Sequence, residues 1–233
     1  VVIDAIGEFD TITIWDARYV NGVAKYKKLY SQTYPDSIGL FYSAMTKRVG
    51  LHPMDEEYIL MGMAAHGEPK HVEELRETFF SKWSPPDFKL RHNLHRGCSW
   101  WEPCDSSASK FDIAASVQKL AEEYLLETVL VIKANTTSDN FIFMGGVALN
   151  CVANSVIARS GIFKNIWIMP NPGDAGSAIG AVAAYTQRHL NWQGPYLGTD
   201  IKQDVDIKSL VDDLEAGNVV ALANGRAEFG PRA

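Results

Sequence analysis

The spacing of apolar residues changes once along the chain, and that change limits the fold more than any other feature. Over the opening third the period is two. Val1 to Ile6 reads as a short apolar strand ended by Gly7, Thr11-Ile12-Thr13-Ile14-Trp15 alternates, and Asn21-Gly22 is a two-residue hairpin turn from which Val23 to Tyr30 returns. A three-stranded antiparallel meander is predicted there. In the second half helical spacing takes over. From Phe111 to Ala134, residues such as Ile113, Val117, Leu120 and Tyr124 return to one face, which predicts a long amphipathic helix. Phe141 to Met144 and Ile166 to Met169 follow as buried strands, separated by a helix over Val152 to Ser160 that Gly161 closes. A small-residue helix over Ala175 to Leu190, packed close to another element, comes next. Between the two regimes the pattern predicts helices at Leu40 to Val49 and Glu56 to Ala65 and an irregular insertion from Lys82 to Lys110, rich in Pro and Gly. The order implies an α/β fold, a mixed sheet flanked by helices. Around Gln193 to Gly198 the composition turns loop-like, and Ile207 to Leu214 with Val219 to Leu222 begins a new helix-strand unit. Two domains are therefore expected, residues 1–192 and 193–233.

Composition narrows the possible partners. The 233 residues carry 22 Lys and Arg against 28 Asp and Glu, a formal charge of −6, which argues against a basic nucleic-acid-binding or membrane-surface protein. No apolar run reaches the roughly 20 residues needed to span a bilayer. Three cysteines, Cys98, Cys104 and Cys151, are too few for a disulfide framework and favour a reducing, cytoplasmic setting. The chain starts on an apolar run without Met and stops at Gly230-Pro231-Arg232-Ala233, so a piece of a longer protein is expected.

Three motifs could carry chemistry. Asp4-Ala5-Ile6-Gly7-Glu8-Phe9-Asp10-Thr11 is strand, tight turn and strand, and could offer backbone N–H groups and the Thr11 hydroxyl to phosphate while Asp4 reaches a metal; it could equally be a surface hairpin. Met144-Gly145-Gly146-Val147-Ala148-Leu149-Asn150 places two glycines between a buried strand and a helix, where the backbone can approach a ligand or simply turn. In Asn171-Pro172-Gly173-Asp174-Ala175-Gly176-Ser177, Asp174 stands at a helix N-cap position. It also follows the carboxyl end of a strand, the edge at which open α/β sheets bind ligands. His92, His95, Cys98 and Cys104 match no closed zinc-site spacing and are read as an ordinary loop, with Trp100-Trp101 beside them as packing or acceptor contact rather than a nucleic-acid stacking platform.

Taken in order, these stretches resemble the O-carbamoyltransferases of antibiotic and nodulation-factor biosynthesis. The resemblance also rests on Gly39-Leu40-Phe41-Tyr42-Ser43-Ala44-Met45-Thr46, Met61-Gly62-Met63-Ala64-Ala65-His66-Gly67 and Gly225 to Ala233. It implies an actin-like ATPase (ribonuclease H-like) fold, similar to the domain that transfers threonylcarbamoyl to tRNA, with only the C-terminal half of that domain in this chain. The missing half carries a paired-His metal motif in the family. The segment after residue 193 looks like the entry to a domain that makes carbamoyl-adenylate from carbamoyl phosphate and ATP.

By that resemblance the cofactors are ATP and a divalent metal, iron(II) in the best match, with Asp4 and Asp174 as metal ligands. Thr11, Ser37, Gly39, Gly145, Gly146 and Asn150 would bind nucleotide, Glu8 and His66 would face the acceptor, and Arg226 and Arg232 would contact carbamoyl phosphate. Ala5, where relatives usually have Gly, and His66 depart from the family pattern. The implied reaction moves a carbamoyl group to a hydroxyl of a small polyhydroxylated acceptor. The alternative is a nucleotide-binding module of the same fold without transferase chemistry.

Overall fold

A computed structural model describes residues 1–105, 108–202 and 204–231. Chain contacts divide it into two compact units, Val1–Arg188 and His189–Ala233. The first unit opens with the predicted meander: β1 (Val2–Gly7), β2 (Asp10–Val20) and β3 (Val23–Thr33), paired antiparallel in the order β1-β2-β3. Asn21 and Gly22 turn the long hairpin with φ of 52° and 79°, the left-handed values that this dipeptide tolerates. Ile3, Ile12 and Ile14 point into the core. The distal half of the β2–β3 ribbon is exposed on both faces.

Helix α1 (Ile38–Arg48) lies at the centre. Ser37 caps it, its Oγ accepting from the Leu40 N–H at 3.1 Å, and every residue from Ile38 to Thr46 is buried. Such all-round burial requires neighbours on every side. These are the sheet, α2 (Glu57–Ala64), α3 (Val72–Phe79) and the long α4 (Lys110–Ala134), whose Ser109 cap accepts from the Asp112 N–H at 3.0 Å. The predicted helices at 56–65 and 111–134 are thus present, shifted by a residue or so, whereas α3 carried no sequence prediction.

The stretch from Lys82 to Lys110 is not wholly irregular. β4 (Phe80–Ser84) and β5 (Asp87–Leu90) form a hairpin around Pro85-Pro86, with Phe80 and Phe88 4% and 1% exposed. Those rings pack edge-on with each other and Phe88 with Tyr124 of α4, and the Tyr124 hydroxyl donates to the Pro86 carbonyl at 3.1 Å. Buried Asp36 secures this hairpin to the β3–α1 corner, accepting from the Leu90 N–H at 2.8 Å and from Lys89 Nζ at 2.7 Å. The polar register and paired prolines hide the hairpin from a periodicity reading.

β6 (Asn140–Phe143), α5 (Cys151–Ser160) and β7 (Asn165–Ile168) form a parallel crossover unit, closed as expected by Gly161 at φ 66°. A parallel bridge between Val2 and Met144 joins this pair to the meander: the Ile3 N–H donates to the Met144 carbonyl, and the Met144 N–H to the Val1 carbonyl, each at 2.9 Å. The resulting strand order, β3-β2-β1-β6-β7, is the mixed sheet that the sequence order implied.

After β7 a 3₁₀ turn (Asp174–Gly176) leads into α6 (Ser177–Thr186), which is shorter than predicted and has no buried residue. The expected close packing of this helix is therefore not observed. In the second unit, β8 (Tyr196–Ile201) pairs antiparallel with β9 (Gly225–Glu228), and α7 (Ile207–Glu215) lies between them in sequence. The expected strand at Val219 to Leu222 is irregular chain instead, with Val219 fully exposed; the strand partners are the residues on either side. Among the described residues no helix is long and apolar enough to cross a membrane.

Candidate functional site

The bridge between β1 and β6 brings Asp4, on β1, next to the turn that follows β6. That closeness depends on glycine. A Cβ on Gly145, whose φ is 92°, would lie 2.1 Å from the Ile3 carbonyl oxygen, and one on Gly146 would lie 2.8 Å from Asp4 Oδ1. From the other side α1 presses on the same strand through Gly39, where a Cβ would meet the Ala5 Cα at 2.8 Å, while Ser37 Oγ donates to the Asp4 carbonyl at 3.1 Å. The loop after β7 completes the arrangement. The Gly145 N–H donates to the Pro172 carbonyl at 2.8 Å, and Gly173 faces the Cα of Gly146. The segments that follow the carboxyl ends of β6 and β7 thus meet Asp4, in the middle of β1, at one edge.

Electrostatics single out Asp4. The Ala5 N–H donates to its Oδ1 at 2.8 Å, and the Gly146 amide also favours the carboxylate. Burial nevertheless wins and raises the Asp4 pKa above the ordinary value, with the negative charge of Asp174 pushing the same way. Two carboxylates close enough to repel, one held by backbone amides, form a hard-oxygen donor pair that a divalent cation would relieve. Among the described residues no group of three His, Cys, Asp or Glu is gathered to hold a metal, so the pair fits a cation only as part of a larger donor set. Asp174 is exposed and its side chain caps neither the 3₁₀ turn nor α6, so the capping role is not the one the structure shows.

A test of this strain follows. A folded-state pKa above the unfolded one penalises the native state once the carboxyl ionises, so the penalty is complete above the folded pKa and absent below the unfolded one. Asp4→Asn is therefore expected to raise the melting temperature of metal-free protein at neutral pH. The gain should shrink as pH falls through the carboxylate range. Thermal denaturation at several pH values measures it, and a lower melting temperature at pH 7 would contradict the account.

The other predicted residues divide. The Thr11 hydroxyl is buried and donates to the Asp36 carbonyl at 2.5 Å, and Ser37 is occupied as a cap and by Asp4, so both hold the β1–α1 corner together. Asn150 caps α5, its Oδ1 accepting from the Ala153 N–H at 3.0 Å. Glu8 lies exposed on the β1–β2 turn at φ 56°, and His66 is exposed after α2 with its ring edge-on to Phe111. Arg226 is on β9 of the second unit, its Nη1 donating to the Gly198 carbonyl at 3.4 Å. Arg232 lies outside the described residues.

Sequence reading missed Gln118 of α4, buried and bonded to Asn150, Tyr42 and Glu122. Its only signal was a polar residue on the apolar face of a long helix. Gln118 and Glu122 also line an open cavity of about 230 Å³ with Met61, Ala64 and Gly67 on the α2 side and Val152 on α5. The cysteines form no cluster: Cys98 is buried against the Ala44 carbonyl, burial pushing its thiol up to about 11, and Trp101 packs on Phe79.

Residues 2–183 match the carbamoyltransferase N-terminus family. The chain belongs to that family. Its relatives include an uncharacterized protein of Synechocystis sp., sll1178, 33% identical over 99% of this chain and 45% of the relative. Nodulation protein NolO of Bradyrhizobium diazoefficiens is 28% identical over 85% of this chain and 42% of its own length. A 3'-hydroxymethylcephem-O-carbamoyltransferase of Streptomyces clavuligerus is 29% identical over 75% and 36% respectively. The chain spans less than half the length of these relatives. The glycine turn, the Asp4 strand and the Asp174 loop all fall within the matched residues.

Proposed function

We propose that this chain is part of an ATP-dependent O-carbamoyltransferase, supplying one wall of a nucleotide and metal cleft of actin-like architecture. The observation that carries the reading is the convergence of Asp4, Asp174 and the Gly145-Gly146 turn at one sheet edge. The order β3-β2-β1-β6-β7, three antiparallel strands continued by two parallel ones, supports the architecture.

In this reading Asp4 and Asp174 hold a divalent cation together with donors outside this chain. A cation bound there supplies Lewis acidity toward the carbamoyl oxygen. The Gly145-Gly146 turn lets phosphate approach the backbone closely, with no side chain to keep the ligand away. The cavity between α2, α4 and α5 offers an apolar wall of Met61, Ala64 and Val152 for a purine ring.

The transfer itself balances simply. The acceptor oxygen forms a bond to the carbamoyl carbon, the bond from that carbon to the adenylate phosphate oxygen breaks, and AMP leaves. The hydroxyl proton passes to a base, a role for which Glu8 and His66, both exposed, are the candidates on this chain. Carbamoyl phosphate and ATP would supply the adenylate elsewhere in the full-length protein, with Arg226 and Arg232 at its entry. The acceptor class is a small polyhydroxylated metabolite.

Full-length protein incubated with ATP, carbamoyl phosphate and a panel of polyhydroxylated acceptors is expected to release AMP and give a carbamate ester, read by mass spectrometry. Consumption of neither donor with any acceptor would overturn the proposal.

A further inference from the structure

Asn150, at the start of α5 and bonded to the cavity-lining Gln118, has its amide already oriented, and the orientation comes from a chain of hydrogen bonds with a fixed polarity at each end. At one end is the Glu122 carboxylate, which when ionised can only accept. It takes a hydrogen bond from Gln118 Nε2 at 2.9 Å, so the Gln118 nitrogen must lie on that side and its oxygen on the other. The Gln118 oxygen accepts from the Tyr42 hydroxyl and from Asn150 Nδ2, both at 2.9 Å. Gln118 Nε2 also donates to Asn150 Oδ1 at 3.1 Å, making a head-to-tail amide pair.

At the other end is the Ala153 N–H, which can only donate and fixes Asn150 Oδ1 at 3.0 Å. Neither amide can flip without placing two donors or two acceptors against each other. Both lone-pair positions of the Asn150 oxygen are thereby filled, and one of the two N–H groups on its nitrogen is used. One N–H remains.

We infer that Gln118 is a positioning residue, and that Glu122 and Gln118 together commit Asn150 to offer a hydrogen-bond donor, never an acceptor, to the bound nucleotide. The inference rests on the nucleotide reading proposed above. Its chemical consequence is selective: the ligand atom that meets Asn150 is an acceptor. Gln118 itself is 4% exposed, and although it lines the cavity its amide nitrogen and oxygen are both taken up by protein partners, so its polar groups reach the ligand through Asn150.

The test is a double-mutant cycle on ATP affinity in full-length protein, measured by isothermal titration calorimetry. Gln118→Met, close in volume and apolar, is expected to weaken ATP binding about tenfold in the wild-type background, the effect of losing one well-placed polar contact. In an Asn150→Ala background the same change should cost nothing further, because the residue it positions is gone. Equal losses in both backgrounds would show that Gln118 merely packs and would overturn the inference.

Glu122→Gln keeps the shape, lies at a half-buried position and removes only the fixed polarity. It should weaken ATP binding too, by less than Gln118→Met, and again only when Asn150 is present. This variant serves if Gln118→Met does not fold, and an affinity unchanged from wild type would count against the polarity argument. Wild-type protein that binds no ATP at all would overturn the nucleotide reading and this inference with it, whereas wild-type binding with additive losses overturns the inference alone.

Discussion

Gly145→Ala is expected to lower the melting temperature by about 10 °C. Two costs combine. At φ 92° and ψ 167° the residue occupies a region nearly closed to side chains, which by itself costs roughly 1–3 kcal/mol. The added methyl would also sit 2.1 Å from the Ile3 carbonyl oxygen, 2.6 Å from its carbon and 2.8 Å from the Ile3 nitrogen. These are backbone atoms of a strand whose own hydrogen bonds run to Met144, so the clash is relieved only by separating β1 from β6. A total on the order of 4 kcal/mol places the change among the severe substitutions. Gly146→Ala is the control: its methyl meets only Asp4 Oδ1, a side-chain atom that can swing away. Thermal denaturation of the two variants decides the matter, and coincident melting curves for wild type and Gly145→Ala would mean that the strand contact has been misread.

Asp174→Ala is expected to leave the fold intact and to reduce carbamoyl transfer by the full-length protein about 100- to 1000-fold, the scale of losing several kcal/mol of cation-mediated stabilisation. Folding should survive because the side chain is exposed and caps neither the 3₁₀ turn nor α6, and because removing it relieves repulsion of the like-charged Asp4. Bound divalent metal should fall in parallel. Metal analysis beside turnover separates the two functional readings: a nucleotide-binding module without transferase chemistry would lose neither metal nor ATP affinity when this carboxylate is removed. Normal turnover in the variant would remove Asp174 from the site altogether.

The parts of the fold legible in the sequence are those in which local chemistry and tertiary packing agree. Asn21-Gly22 needs left-handed backbone and sits where the chain reverses; Gly161 ends α5 for the same reason. Of the two strands expected to be buried in the second half, β6 stands out because Phe141 and Phe143 must be covered, whereas β7 pairs with it as expected but buries none of its four residues and leaves Trp167 exposed. Legibility fails where a long-range partner decides. The β4–β5 hairpin exists because Asp36 and Gln32, some 50 residues earlier, accept its backbone N–H groups, and nothing local announces that. Conversely, the apolar sequence after Asp174 reads as a packed helix, yet none of the residues of α6 is fully buried.

The candidate site divides in the same way. Gly145, Gly146 and Asp174 are visible as small or acidic residues at strand ends, and the structure gathers them with Asp4. Thr11 and Ser37 have suitable hydroxyls for phosphate, but their donors are already engaged by the Asp36 and Asp4 carbonyls. Gln118 could not be found without coordinates, since its meaning lies in the two groups whose direction it transmits.

The bare surface of α6 makes the two carboxylates mechanically unequal. Asp4 rides on a strand bonded on both sides, so it moves only when the whole sheet opens. Asp174 begins a segment in which only Gly176 is buried, so its amides should exchange readily and it should open locally at low cost. A ligand bridging the pair would therefore transmit order outward along α6 as far as the hairpin, whose Ala24 N–H already donates to the Gln187 carbonyl at the far end of that helix.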